Sequence, residues 1–246
     1  MKINGGIPLK GTVRTQGAKN AALPVIAVCL LLRDGTLTLD NVPDLYDINT
    51  MLELIKDLGV EIEINRDEKN SQVIFKVPGE IKWEVSESLA RKMRGSSLLL
   101  GPLLASCGKV SLPLPGGCSI GARPIDLHLK GLKQMGADID VQSGVVHAKI
   151  NGRLRGRRIY LDFPSVGATE NLMMAASLAQ GETIIENIAR EPEIDNLAAV
   201  LRCVGVPVEL EGTGGVRIQG IDKANSGREK VIPDRIEACT YILAGV

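Results

Sequence analysis

The chain has 246 residues, 44% of them hydrophobic, and its 29 basic and 29 acidic side chains cancel to a formal net charge of zero. That length and composition suit a globular protein with a substantial core. The neutral balance, with one Trp, three Tyr and two Phe, leaves few platforms for stacked bases and excludes a nucleic-acid binder.

The opening MKINGGIPLKG carries no apolar stretch behind a basic one, so it reads as no secretory signal and a cytoplasmic protein is expected. Next comes the longest apolar run, Ala21 to Leu32, interrupted by Pro24. It is well short of the roughly 20 residues that cross a bilayer, so it reads as a buried helix and no membrane is expected as a partner.

From Gly35 a repeated pattern sets in. GTLTLDNVPDLYDINTMLELIKDLGVEIEI, GKVSLPLPGGCSIGARPIDLHLKGLKQMGADIDV and GETIIENIAREPEIDNLAAVLRCVGVPVEL open at Gly35, Gly108 and Gly181, each 73 residues after the last. Each copy predicts a strand, a polar loop, a helix, a glycine stop and another strand. Ile48, Met51, Leu52, Ile55 and Leu58 in the first copy, and Ile194, Leu197, Ala198, Leu201 and Val204 in the third, fall at i, i+3, i+4, i+7 and i+10. Gly59, Gly136 and Gly205 suit the left-handed position that ends a helix. A further strand follows each time, as SQVIFKV, GVVHAKI and GGVRIQG. An apolar helix precedes each opening glycine, as NAALPVIAVCLLL, RKMRGSSLLLGPLLA and GATENLMMAASLA. The predicted fold is therefore α/β, built of three helix-strand-helix-strand units. A strand-like lead-in before the first helix recurs a fourth time in REKVIPDRIEACTYILAGV, and an unfinished fourth copy is expected to mark the front part of a longer protein. Lys149, Arg153, Arg155, Arg157 and Arg158 form the one basic cluster, read as a solvated strand edge.

The copies differ in one place. Opening and closing glycines are 24 apart in copies one and three and 28 apart in copy two, and the excess falls in PGGCSIGARP between Leu114 and Ile125. Gly116, Gly117 and Gly121 allow positive φ and close approach to a ligand, which suits a mobile lid. Cys118 lies among them, whereas Cys29, Cys107, Cys203 and Cys239 sit in or beside apolar helical stretches where thiols pack. Arg123 is placed to pair with an anion and lower the Cys118 thiol pKa. Five cysteines without a C-x-x-C pair fit neither a disulfide framework nor zinc, and no metal or cofactor is expected. His128 occupies the core-facing position of Met51 and Leu197 and is expected to be packed and hydrogen-bonded.

Several ordered segments, GAKNAALP, KMRGSS, PGGCSIGARPIDLHLKGL, DFPSVGATENLMMAA, NIAREPEIDNLA and IPDRIEACT, closely resemble the UDP-N-acetylglucosamine enolpyruvyl transferase family. The resemblance runs along nearly the whole chain but covers only the front part of the family's length. It implies a pair of inside-out α/β barrels of three units each. One barrel, residues 19–228 with its Cys loop at 114–125, is expected to be complete. Residues 1–18 and 229–246 would belong to a second barrel that is largely missing. The resemblance further implies transfer of enolpyruvyl from phosphoenolpyruvate to the 3-hydroxyl of UDP-N-acetylglucosamine, with these two small molecules as partners and a monomer in the full-length form. Cys118 would be the proton donor. Lys19, Arg94, Arg123 and Cys118 would hold phosphoenolpyruvate. Asn20, Arg123, Pro124, Ile125, Asp126, Leu127, Ser165, Val166 and Gly167 would hold the nucleotide sugar. Phe163 stands where some members carry a lysine near the diphosphate, so that contact does not transfer. The family's catalytic aspartate and the arginine that grips the phosphoenolpyruvate carboxylate have no counterpart in these 246 residues. Two other readings are the sister transferase acting on shikimate 3-phosphate, whose loop lacks the cysteine, and a nucleotide-sugar-binding remnant without turnover.

Overall fold

The computed structural model describes residues 6, 10–67, 71–114, 125–212 and 214–245. The first apolar run forms α1 (Lys19–Ala27), tightens into a 3-10 turn over Val28–Leu31, and leads into β1 (Gly35–Asp40). Then follow α2 (Tyr46–Asp57), β2 (Glu61–Arg66), β3 (Ser71–Val77), α3 (Glu87–Ala90), a 3-10 turn over Arg94–Leu99, α4 (Leu100–Cys107) and β4 (Lys109–Pro113). The middle of the chain supplies α5 (Asp126–Gln134), β5 (Asp138–Gln142), β6 (Val145–Lys149), β7 (Arg158–Tyr160), α6 (Val166–Ser177) and β8 (Glu182–Glu186). It ends in α7 (Pro192–Cys203), β9 (Val208–Glu211), β10 (Gly215–Gln219), β11 (Gly227–Lys230) and α8 (Arg235–Ala244).

The repeat is visible in the strand pairing. The sheets run β11-β1-β3-β2, β4-β6-β5 and β7-β8-β10-β9, so each copy places its third strand between its first and second. Each first strand also takes a parallel neighbour from a lead-in segment. Tyr160 of β7 faces Glu186 of β8, and Glu84 bridges Ser111 of β4. For copy one the lead-in is β11, about 190 residues away, with Leu37 opposite Gly227 and Asp40 opposite Lys230. The segment that reads as a fourth lead-in thus completes the sheet of the first copy.

The core lies among the helices. Every residue of α1 from Ala21 to Ala27 is buried, as is every residue of α6 from Ala168 to Ser177, while β2 and β5 are mostly exposed. Helices are inside and sheets outside. The helical stripes behave as their spacing predicts, since Ile48, Met51, Leu52, Ile55 and Leu58 are all 5% exposed or less. Gly59, Gly136 and Gly205 close their helices at φ of 105°, 99° and 94°. The stretch RKMRGSSLLLGPLLA departs from a single helix. Ser96 Oγ donates to the carbonyls of Ala90 and Met93, and Ser97 Oγ to that of Arg94, so side chains compete for the backbone and the segment holds a 3-10 turn over Arg94–Leu99 before α4 begins at Leu100. Among the described residues no helix is long and apolar enough to cross a membrane.

Candidate functional site

Where the helices begin, the expected site residues gather in two corners. At the first, α1 starts on Ala18, whose N–H donates 2.8 Å to the Ile232 carbonyl. Lys19 then extends to Asp47 in the first turn of α2, with Nζ 2.7 Å from Oδ2 and both side chains a third or more exposed. Asn20 is exposed beside it. Arg94 opens the 3-10 turn, and a Cβ on the adjacent Gly95 would stand 3.2 Å from Leu23 Cδ1, one turn along α1 from Lys19. Arg94 and Lys19 are thus carried by segments in direct contact.

The second corner joins α5 and α6. Ser165 caps α6: its Oγ accepts from the Ala168 N–H at 3.4 Å, and its carbonyl accepts from Thr169 Oγ1 at 2.7 Å. The N–H groups of Val166 and Gly167 have no intrahelical acceptor, as at any helix start. Ile125 precedes α5, Asp126 is exposed in its first turn, and Leu127 is buried. Cys118, Arg123 and Pro124 lie outside the described residues.

Two side chains fix this corner. Asn171, fully buried on α6, accepts the Gly101 N–H on Oδ1 and donates Nδ2–H to the Ser97 carbonyl at 2.6 Å. The same nitrogen lies 3.0 Å from His128 Nδ1. One amide therefore ties together α4, α5, α6 and the turn that carries Arg94. His128 is packed and hydrogen-bonded as its position predicts, and burial lowers its pKa to about 4, so it is neutral at pH 7. The sequence reading did not single out Asn171; a polar residue inside the apolar run of α6 is the signal that marks it.

A third feature, on α6 itself, is likewise unmarked in the sequence. Glu170 is 3% exposed, and its Oε1 has no hydrogen-bond partner. Burial, then the charges of Glu193 and Glu191, push its pKa well up, which favours the neutral acid. Glu193, itself buried, receives Arg235 Nε at 3.1 and 3.3 Å. Beside them an open cleft of about 680 Å³ is lined by Pro164, Ile188, Glu191, Pro192, Gly214 and Arg235.

The remaining expectations sort by environment. Cys29 is fully buried and Cys107 and Cys203 half-buried, and desolvation raises all three thiols, Cys203 to about 11. Cys239 departs from the expectation of a packed thiol. It is exposed on α8, a helix with no buried residue. In the basic cluster Lys149 pairs with Asp138, Arg153 with Asp222 and Arg158 with Glu186, as suits a solvated edge. No group of three metal-ligating side chains occurs among the described residues.

Known proteins share both the sequence and the arrangement. The chain is 48% identical over 242 residues to a UDP-N-acetylglucosamine 1-carboxyvinyltransferase of Halalkalibacterium halodurans, covering 98% of this chain and 54% of the relative. It is 51% identical to the similarly named protein of Granulibacter bethesdensis, covering 99% and 57%. The chain thus spans about half the length of these curated relatives. Its fold matches the enolpyruvyl transferase NikO from Streptomyces tendae at a TM-score of 0.84 and 24% identity, over 99% of this chain and 57% of that one. It matches an EPSP synthase from Acinetobacter baumannii at 0.76 and 23%, over 97% and 53%. The family described as EPSP synthase (3-phosphoshikimate 1-carboxyvinyltransferase) matches residues 3–246. A threefold helix-in, sheet-out unit, this degree of identity and a match along nearly the full length lead to one conclusion: the chain belongs to the EPSP synthase family of enolpyruvyl transferases.

Proposed function

We propose that this chain serves the transfer of enolpyruvyl from phosphoenolpyruvate to the 3-hydroxyl of UDP-N-acetylglucosamine with release of phosphate, the first committed step of peptidoglycan synthesis. Identity near 50% along almost the whole chain to relatives that bear the carboxyvinyltransferase name carries this reading. The two-barrel architecture, the division at residues 18 and 228, and a cytoplasmic location belong to the same proposal.

The chemistry suits the residues. The sugar 3-hydroxyl gives its proton to a base and its oxygen adds to C2 of phosphoenolpyruvate while C3 takes a proton from Cys118; a base then removes a C3 proton as phosphate leaves from C2, which restores the double bond. Lys19, Arg94 and Arg123 offset the charge of the phosphorylated acid. Lys19 is half-exposed and paired with a half-exposed carboxylate, so an incoming anion can draw it away at small cost. The free N–H groups at Val166 and Gly167 and the dipole of α6 suit a diphosphate.

Titration calorimetry of the purified chain with UDP-N-acetylglucosamine and with shikimate 3-phosphate tests the reading. Binding of the nucleotide sugar alone is expected, with phosphate release slow or absent for the isolated chain. Preference for shikimate 3-phosphate would overturn it.

A further inference from the structure

The arrangement around His128 goes further than a packing role requires. In copies one and three the same position holds Met51 and Leu197, both fully buried, so a hydrocarbon fills the site and no ring nitrogen is needed. In copy two the ring is oriented by an amide whose own orientation is settled. Asn171 Oδ1 is taken by the Gly101 N–H, which leaves Nδ2 as the group facing His128. Its two hydrogens serve the Ser97 carbonyl and His128 Nδ1. Nδ1 must therefore accept, and the single proton of the neutral ring sits on Nε2.

That N–H lies at the mouth of α6. A Cβ built on Gly167 would stand 3.4 Å from His128 Cε1 and 3.5 Å from Nε2. Gly167 is the second residue of α6, so the ring edge packs against the first turn, where the Val166 and Gly167 N–H groups have no intrahelical acceptor. The ring is 7% exposed, and Nε2 has no hydrogen-bond partner among the described residues. Nε2 is not one of the wholly enclosed unpaired atoms, so the nitrogen keeps an opening through which an anion at this helix start can accept its N–H.

We propose that His128 is a binding residue of the anion site at the start of α6, donating Nε2–H to a phosphate oxygen, with Asn171 as the positioning residue that keeps the proton on that nitrogen. The identity of the anion as the diphosphate of a nucleotide sugar rests on the function proposed above; the donor role does not.

The test uses the full chain labelled with 15N-histidine. Two-bond 1H–15N spectra are expected to report the Nε2–H tautomer for His128. Its Nε2 signal should move when UDP-N-acetylglucosamine, UDP or inorganic pyrophosphate is added, and stay still with uridine, which has no phosphate. His128→Phe should weaken UDP binding about tenfold, the scale of one hydrogen bond to a charged group, and His128→Gln should recover part of the loss. An Nδ1–H tautomer, an Nε2 signal unmoved by both UDP and pyrophosphate, or full UDP affinity in His128→Phe would overturn the proposal. If the variant does not fold, the tautomer and the shifts of the unsubstituted chain decide. A chain that ignores UDP-N-acetylglucosamine while its Nε2 responds to pyrophosphate would retain the donor role and lose the nucleotide-sugar reading.

Discussion

Copies one and three join their first strand to their helix in the same way, and copy two does not. In copy one Asn41 takes φ of 60° and donates Nδ2–H to the Val231 carbonyl; in copy three Asn187 takes 56° and donates to the Leu161 carbonyl. Both carbonyls lie just beyond the lead-in strand, so one side chain locks strand, loop and neighbour together. The equivalent residue in copy two is Leu114, which has no such side-chain group; its N–H donates to the Gly144 carbonyl. Copy two has given up this lock and also exchanged a core hydrocarbon for His128. Where scaffold geometry is supplied twice by its neighbours, one unit of a repeat can depart from the pattern and carry polar groups that the others exclude.

That contrast can be broken, most severely through the support of His128. A methyl on Gly101 would overlap the carbonyl and amide oxygens of Asn171, where α4 and α6 touch. Gly101→Ala is expected to cost about 3 kcal/mol or more in urea unfolding, because the obstruction is partly backbone and cannot rotate away. A cost below about 1 kcal/mol would show that the contact is not tight.

The pH dependence of His128 is next in size. Its folded pKa of about 4 lies below the unfolded value of 6.5, so its contribution is full above pH 6.5 and lost as pH falls toward 4, amounting to roughly 3 kcal/mol. His128→Met installs the residue of copy one and should abolish that share of the acid sensitivity. Parallel stability curves for the two proteins from pH 7 to pH 4 would contradict this account.

Asn187→Ala and Asn41→Ala should each cost about 2 kcal/mol, from one hydrogen bond and a left-handed backbone without the residue that tolerates it. Similar losses at both positions would sharpen the equivalence of copies one and three, and a large difference would break it. Lys19→Met should change stability by less than about 0.5 kcal/mol, since its ion pair is half-exposed and screened. A larger change, read from the melting temperature, would mean that the corner is more rigid than its exposure indicates.

Much of the fold was legible because periodicity reports burial directly. Met51 and Leu197 were assigned to the core from spacing alone, and both are fully buried. The 3-10 turn before α4 was not legible, because Ser96 and Ser97 interrupt a helix only when their hydroxyls find particular carbonyls. Lys19, Arg94 and Ser165 came from motif likeness; their spatial grouping into corners came from contacts that no spacing encodes. Asn171 and Glu170 went unremarked because each lies in an apolar helical run where sequence shows only a polar residue, not its partner.

Local pattern, read from the sequence by itself, determined the threefold unit, its strand and helix types, the glycine stops and the odd insertion in copy two. These follow from side-chain burial at periods of two and 3.6, a property of neighbours along the chain. Only the tertiary structure decided that β11 completes the first sheet across about 190 residues and that one amide of Asn171 orients His128 toward α6. A hydrogen bond between distant segments depends on direction and distance at once, and hydrophobic pattern constrains neither.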